Sequence, residues 1–98
     1  MKILEVIHLR MAGDESETLA EFVRTAAEDA ADFAEVRIYR HARVEGDFLI
    51  HIRRRGPNEG IEASQLGVRL ASALRAHGLV DHSVWVGSEG PELWEARS

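Results

Sequence analysis

The feature that most constrains the fold is a pair of alternating stretches in residues 35–55, which read EVRIYRHARVEGDFLIHIRRR. Apolar side chains recur at every second position on both sides of a short break at Glu45, Gly46 and Asp47. This period is typical of β-strands that present two different faces. Gly46 can supply the positive φ that a tight connection needs. The pattern therefore predicts a β-hairpin with one apolar and one polar face.

The length of the connecting loop decides which residues pair across the hairpin. A two-residue loop mixes polar and apolar side chains on both faces, because a shift of one residue turns every side chain over. A three-residue loop pairs Val44 with Phe48 and keeps the apolar residues together, so we predict that register. His41 then lies opposite His51. The polar face is expected to carry Tyr39, His41, Leu49, His51 and Arg53.

The rest of the chain supplies two further strands and two helices. Residues 2–10 and 79–86 alternate and predict strands, whereas apolar residues at helical spacing predict one helix over residues 14–29. A second helix is predicted over residues 58–77 or 64–77. The order β-α-β-β-α-β is that of the α+β, ferredoxin-like sandwich. Its four-stranded antiparallel sheet has strands one and three in the centre, both helices on one face, and an open second face.

Length and composition limit the class of protein. The 98 residues, 1–98, are expected to form a single domain. The chain has no apolar run of 18 residues and no charged leader, so neither a membrane span nor a signal peptide is expected. The absence of cysteine excludes thiolate metal sites and favours a cytoplasmic location. A net charge of −5 argues against a nucleic-acid partner.

The open face is expected to be half apolar. The first strand has apolar residues on both sides, and we assign Glu5 and its neighbours at every second position to the open face. A large apolar patch of this kind predicts a protein interface, and we therefore expect a homodimer. The apolar residues of the predicted interface are Ile3, Ile7, Leu9, Leu49 and Trp85.

The polar residues of the open face allow three interpretations. Two imidazoles and a carboxylate, His41, His51 and Glu5, could hold a divalent metal ion. The same groups could serve as an acid and a base. The interpretation that we adopt is a polar network within the dimer interface, in which Glu5 pairs with Arg53 and Tyr39 joins the histidines. No metal and no cofactor are therefore predicted.

Two histidines interrupt strands that are otherwise apolar on the helix-covered face. His8 and His82 are expected to be neighbours there, because the first and last strands pair in this topology. An apolar surrounding favours the neutral imidazole, which can accept a proton near pH 7. We therefore predict His8 and His82 as candidate catalytic bases. The alternative is a structural role, with each ring bonded to backbone or water.

Several stretches together resemble a known family. They are KILEVIHLRMAGDESETLAEF, the hairpin, a helix with Leu66, Leu70 and Leu74, and the last strand VDHSVWVGSE. In topology and spacing they are similar to the antibiotic-biosynthesis-monooxygenase-like group of dimeric α+β barrel proteins. The resemblance implies a homodimer with packed open faces, and a pocket between sheet and helices for a small aromatic ligand. It also implies oxygenase chemistry, in some members without a cofactor. A non-catalytic ligand-binding or dimerisation module is the alternative.

Overall fold

The computed structural model describes residues 1–11, 16–56 and 61–87. Four strands and two helices follow one another in the predicted order β-α-β-β-α-β. The elements are β1 (Lys2–Met11), α1 (Ser16–Asp29), β2 (Ala34–Arg40), β3 (Asp47–Arg55), α2 (Gln65–Leu74) and β4 (Gly78–Val86).

The four strands form one antiparallel sheet in the order β2-β3-β1-β4. The central position of β1 and β3 and the ferredoxin-like α+β fold confirm the prediction. Both helices cover the same face of the sheet, and a single apolar core lies between the two layers. The core consists of Ile7, Leu9, Leu19, Val23, Ala30, Phe48, Ile50, Ile52, Leu66, Leu70, Ala71 and Leu74.

The hairpin has a longer loop than the pattern predicts. Residues 41–46 connect the two strands, and Ile38 pairs with Ile50. The predicted pairing of Val44 with Phe48 is therefore wrong. Phe48 pairs with Arg40, which lies at the end of β2, four residues before Val44. Since four is an even number, the side chains of both strands keep their predicted faces.

Side chain and backbone contacts within the loop explain why β2 ends early. The Nδ1 atom of His41 accepts hydrogen bonds from the N–H groups of Arg43, at 3.0 Å, and Val44, at 2.9 Å. Gly46 has a φ of 87°, and its carbonyl oxygen accepts the N–H of Met11 at 2.7 Å. The contacts of the His41 ring use backbone donors that an extended hairpin would need for its ladder. His41 therefore lies in the loop and not on the open face.

The two faces of β1 are the reverse of the prediction. Ile3, Ile7 and Leu9 lie under the helices and are at most 2% exposed, and Glu5 lies with them at 0%. His8 points to the open face. The side of β1 with the larger apolar side chains faces the helical layer, because burying them there removes the most apolar surface from water. The predicted dimer interface therefore loses three of its five apolar residues.

The start of the second helix agrees with one of the two predicted positions. Ser64 is the N-cap of α2, and its Oγ accepts the N–H of Gly67 at 3.0 Å. This is the usual way in which a serine satisfies a free donor of the first turn. The alternative start at residue 58, residue 14 of the first predicted helix, and the apolar pair Leu93 and Trp94 lie outside the described residues.

Candidate functional site

A buried polar cluster interrupts the apolar layer between the sheet and α2. Its centre is the carboxylate of Glu5, which is 0% exposed. The carboxylate accepts hydrogen bonds from Arg54 Nε at 2.8 Å and from the Ser64 N–H at 3.1 Å. The Nε2 atom of His82 lies 3.0 Å from Glu5 Oε1. We refer to these four residues, Glu5, Arg54, Ser64 and His82, as the Glu5 cluster.

The strand register brings these side chains together. Arg54 pairs with Ile3, and His82 pairs with Ile7, so each lies diagonally across from Glu5 on a neighbouring strand. Residues two apart on a strand share a face, and diagonal neighbours on one face are within reach of long side chains. The Glu5 cluster therefore follows from the central position of β1 between β3 and β4.

The Glu5 carboxylate stays ionised despite its burial. Burial by itself raises the pKa of a carboxyl group, but hydrogen bonds from Ser64, Arg54 and His82 outweigh it and hold the pKa of Glu5 below its ordinary value. The carboxylate also lies at the N-terminus of α2, where the helix dipole favours negative charge. An ionised carboxylate only accepts hydrogen bonds, so we infer that the proton at this contact belongs to His82 Nε2.

The second ring nitrogen of His82 is available to a ligand. The side chain is 12% exposed, and Nδ1 has no hydrogen-bond partner within the described ranges. None of the described side chains has a nitrogen or oxygen atom that is both buried and unpaired. Nδ1 therefore reaches solvent. When Nε2 carries the proton, the lone pair of Nδ1 can accept a second one.

Gly67 allows α2 to approach the Glu5 cluster. A Cβ atom at this position would collide with Oε1 of Glu5 and lie 3.0 Å from Nε2 of His82. A side chain here would therefore force the helix away or separate the pair. The sequence carries a signal for this contact, because a glycine inside a helical pattern often has a packing reason.

The two predicted catalytic histidines lie on opposite faces of the sheet. His82 is on the helix-covered face, whereas His8 is on the open face and pairs across the ladder with Asp81. The Nε2 atom of His8 is 3.5 Å from Oδ2 of Asp47. The expectation that both histidines lie on the helix-covered face is therefore wrong for His8, because the faces of β1 are reversed.

The predicted polar residues of the open face are partly brought together. The rings of Tyr39 and His51 are in contact, with centroids 4.9 Å apart. Burial and the neighbouring charge of Arg53 lower the pKa of His51. His41 lies in the hairpin loop and Glu5 lies on the other face, so the hypothetical metal site of two imidazoles and this carboxylate does not form. No group of three His, Cys, Asp or Glu that could hold a metal ion occurs in the described part of the chain.

The interior between the sheet and the helices is tightly packed around the Glu5 cluster. Leu66, Leu70 and Leu74 of α2 are buried in the core, as are the central isoleucines of β3. One cavity of the described ranges, of about 430 Å³, is lined in part by Arg54 of this cluster. Two of the others lie away from the cluster. One is a groove of about 490 Å³ on the open face, and the other is a cleft of about 350 Å³ between α1 and α2. Neither described helix has the length and apolarity needed to span a bilayer.

Comparison with known proteins finds solved structures with a similar fold. No family model and no curated protein match the sequence. Rv0793 from Mycobacterium tuberculosis superimposes with a TM-score of 0.66 at 12% identity, over 92% of this chain and 98% of that one. A mutant of SnoaB, a cofactor-independent oxygenase from Streptomyces nogalater, gives a TM-score of 0.64 at 18% identity, over 91% and 95%.

The chain shares its ferredoxin-like α+β fold with these two proteins. The resemblance expected from the sequence is confirmed at this level. At identities of 12% and 18%, the shared property is the fold alone. The chemistry has to be argued from the side chains of this chain.

Proposed function

We propose that the protein is an enzyme that removes a proton from a weakly acidic aromatic substrate, with His82 as the base. The observation that carries this proposal is the contact of 3.0 Å between His82 Nε2 and the buried carboxylate of Glu5. An ionised carboxylate that holds one ring nitrogen orients the imidazole and stabilises the cation formed when the other nitrogen is protonated. Glu5 is thus a positioning residue, and His82 is the group that meets the substrate.

Proton removal is the step that oxygenation without a cofactor requires. A phenol or a related carbon acid transfers an electron to O₂ far more readily as its anion. A base that is held within hydrogen-bond reach of the acidic proton forms this anion. The likeness to SnoaB, a cofactor-independent oxygenase, supports this reaction class.

The position of His82 also supports a route for the substrate. β4 lies at an edge of the described sheet, and Nδ1 of His82 reaches solvent. A planar substrate would therefore approach the ring from the margin of the sheet and not through the packed interior. Arg54 carries the nearest positive charge to the carboxylate, with Nε at 2.8 Å, and keeps it ionised during the reaction.

The test is oxygen consumption with 1,8-dihydroxyanthrone, a weakly acidic polycyclic phenol, as the probe substrate. We expect turnover by the unmodified protein and a decrease in kcat of about 10²–10⁴-fold in His82→Gln, the usual contribution of a general base. Glu5→Gln should lower kcat at least about tenfold, because the ring loses its orienting partner.

The matched control is His77→Gln, which makes the same change in an exposed histidine just after α2. Circular dichroism of each variant shows whether it is folded. Equal turnover by folded His82→Gln and the unmodified protein would refute the assignment of His82. Absence of turnover in the unmodified protein with a panel of such phenols would refute the reaction class.

The open face supports a homodimer in which two sheets pack face to face. Trp85 is 60% exposed and Tyr39 is 46% exposed, and Leu4, Val6 and Leu49 are only partly covered. Burial of these side chains in an interface would remove apolar surface from water. We include this dimer in the proposal.

A second candidate function is a non-catalytic module that binds a ligand or dimerises. The packed interior around the Glu5 cluster favours it, because a buried ion pair of this kind also occurs as a structural link. This function predicts that His82→Gln changes stability, and that neither this variant nor the unmodified protein consumes oxygen with the probe substrate.

A further inference from the structure

A groove crosses the open face of the sheet at the end where β1 begins and β4 ends. Its volume is about 490 Å³, which lies within the range of sites for small ligands. We propose that this groove binds a planar aromatic carboxylate, and that it is a site separate from the Glu5 cluster. The groove is lined by Lys2, Ile3, Leu4, Tyr39, His51, Arg53, Trp85, Val86 and Gly87.

The strand register sets the dimensions of this groove. Leu4 pairs with Arg53 on one side and with Trp85 on the other, so these three residues form a row across β3, β1 and β4. Two strand spacings separate the backbones of Arg53 and Trp85 by about 10 Å. A bicyclic aromatic ring on the floor formed by Leu4 therefore reaches from the indole to the guanidinium.

The charges of the groove select an anion. The lining residues include the cations Arg53 and Lys2, and no carboxylate within the described ranges lines it. This local charge is opposite in sign to the net charge of −5 of the whole chain. Glu35 pairs with Arg53 across the ladder, and its carboxylate accepts a hydrogen bond from Arg37 Nε at 2.6 Å. Arg53 can therefore take a carboxylate in its planar fork.

The walls of the groove select a flat and apolar body. Trp85 is 60% exposed, and its indole N–H donates to Ser83 Oγ at 2.8 Å, which fixes the direction of the ring. Tyr39 stands at the other end and contacts the ring of His51. Aromatic rings prefer offset or edge contacts with one another, and large exposed aromatic side chains are typical of binding surfaces.

This site is independent of the proposed reaction. The groove and the Glu5 cluster lie on opposite faces of the sheet. The residues of one chain are sufficient to form the groove. In the proposed homodimer the aromatic carboxylate would lie between the two sheets.

The experiment is a titration of the full chain with naphthalene-2-carboxylate, followed by calorimetry and by the NMR signal of the Trp85 indole N–H. Trp94→Phe leaves Trp85 as the single tryptophan and makes the assignment unambiguous. We expect saturable binding of one molecule per chain and a shift of the indole signal. Naphthalene-2-carboxamide has the same shape without the charge and should bind at least about tenfold more weakly.

Two substitutions that each remove one positive charge distinguish binding in the groove from a general effect of charge. Arg53→Gln should weaken binding of the carboxylate at least about tenfold, because its charged hydrogen bonds are lost. Arg75→Gln removes an exposed arginine that follows α2, and binding should be unchanged. Equal affinity for the acid and the amide, an unshifted Trp85 signal, or equal loss in both arginine variants would refute the proposal. The outcome does not depend on oxygen consumption by the His82 variants.

Discussion

At the scale of single residues, Glu5 is the side chain on which the helix-covered face depends. It is a buried charge with three hydrogen-bonded partners, and removal of one member of such a group is costly because the others remain buried. We expect Glu5→Gln to lower the free energy of unfolding by about 3 kcal/mol, measured by urea denaturation. Glu35→Gln is the control, since Glu35 is exposed and its pair with Arg37 is screened by water. Equal, small effects of both substitutions would contradict the prediction.

Glu5 also makes the stability of the fold depend on pH. The pKa of Glu5 is lowered by folding, so the unfolded chain takes up this proton first as the pH falls. The contribution of Glu5 is therefore fully present above the ordinary value of 4.5 and is lost as the pH falls through the lower pKa of the folded state. We expect the free energy of unfolding to decrease below about pH 4.5. The decrease should be smaller in Glu5→Gln, and a pH profile identical to that of the unmodified protein would contradict this.

The face of a single residue was predictable only where its strand alternates clearly. His82 was placed correctly because polar and apolar residues alternate along β4. Glu5 and His8 were placed on the wrong faces, since β1 is covered by helices on one side and half apolar on the other. In such a central strand, the choice of face depends on partners from distant parts of the chain, here Arg54 and Ser64.

At the scale of elements, the position of α2 depends on the missing side chain at Gly67. Replacement of glycine by alanine in a helix is ordinarily favourable by about 1 kcal/mol. Here the new Cβ would meet Glu5 and His82, so we expect Gly67→Ala to lower the melting temperature and not to raise it. The exposed Ser72 on the same helix provides the control, and Ser72→Ala should be neutral or slightly stabilising. A higher melting temperature for Gly67→Ala would show that the helix does not rest on the carboxylate.

In the hairpin, one property could be predicted from the alternation of residues and another could not. Alternation fixes the faces, and the faces of β2 and β3 were predicted correctly. It does not fix the number of residues in the loop, because every even shift preserves the pattern. The bonds of the His41 ring to two backbone N–H groups decide this number, and they depend on a local turn that the alternation does not encode.

At the scale of the whole molecule, the open face should make the protein dimeric. Light scattering at micromolar concentration should give twice the mass of the 98-residue chain. Trp85→Glu should shift the protein towards the monomer, because a charge in an apolar interface is costly to bury. Phe33→Glu changes an aromatic side chain of similar exposure, 59%, outside the strands and should leave the mass unchanged. A monomer of the unmodified protein at these concentrations would contradict the proposed dimer.

The order of elements, the order of strands and the position of both helices on one side of the sheet could be predicted, because hydrophobic periodicity and the handedness of connections determine them. The Glu5 cluster could not, since its four members come from β1, β3, the start of α2 and β4. The family resemblance pointed to the correct fold. It did not indicate the packed interior, which depends on the sizes of side chains that meet across the layer.

The two outer strands of the sheet differ in how well they resist aggregation. The exposed residues of β2 include Glu35, Arg37 and Arg40, and charges of this kind discourage the addition of a further strand. β4 combines exposed Leu79, at 75%, with exposed Val86, at 47%. Within the described sheet, β4 is therefore the margin from which fibrils would grow. Concentrated solutions of the protein should stay free of aggregates longest under conditions that keep β4 covered.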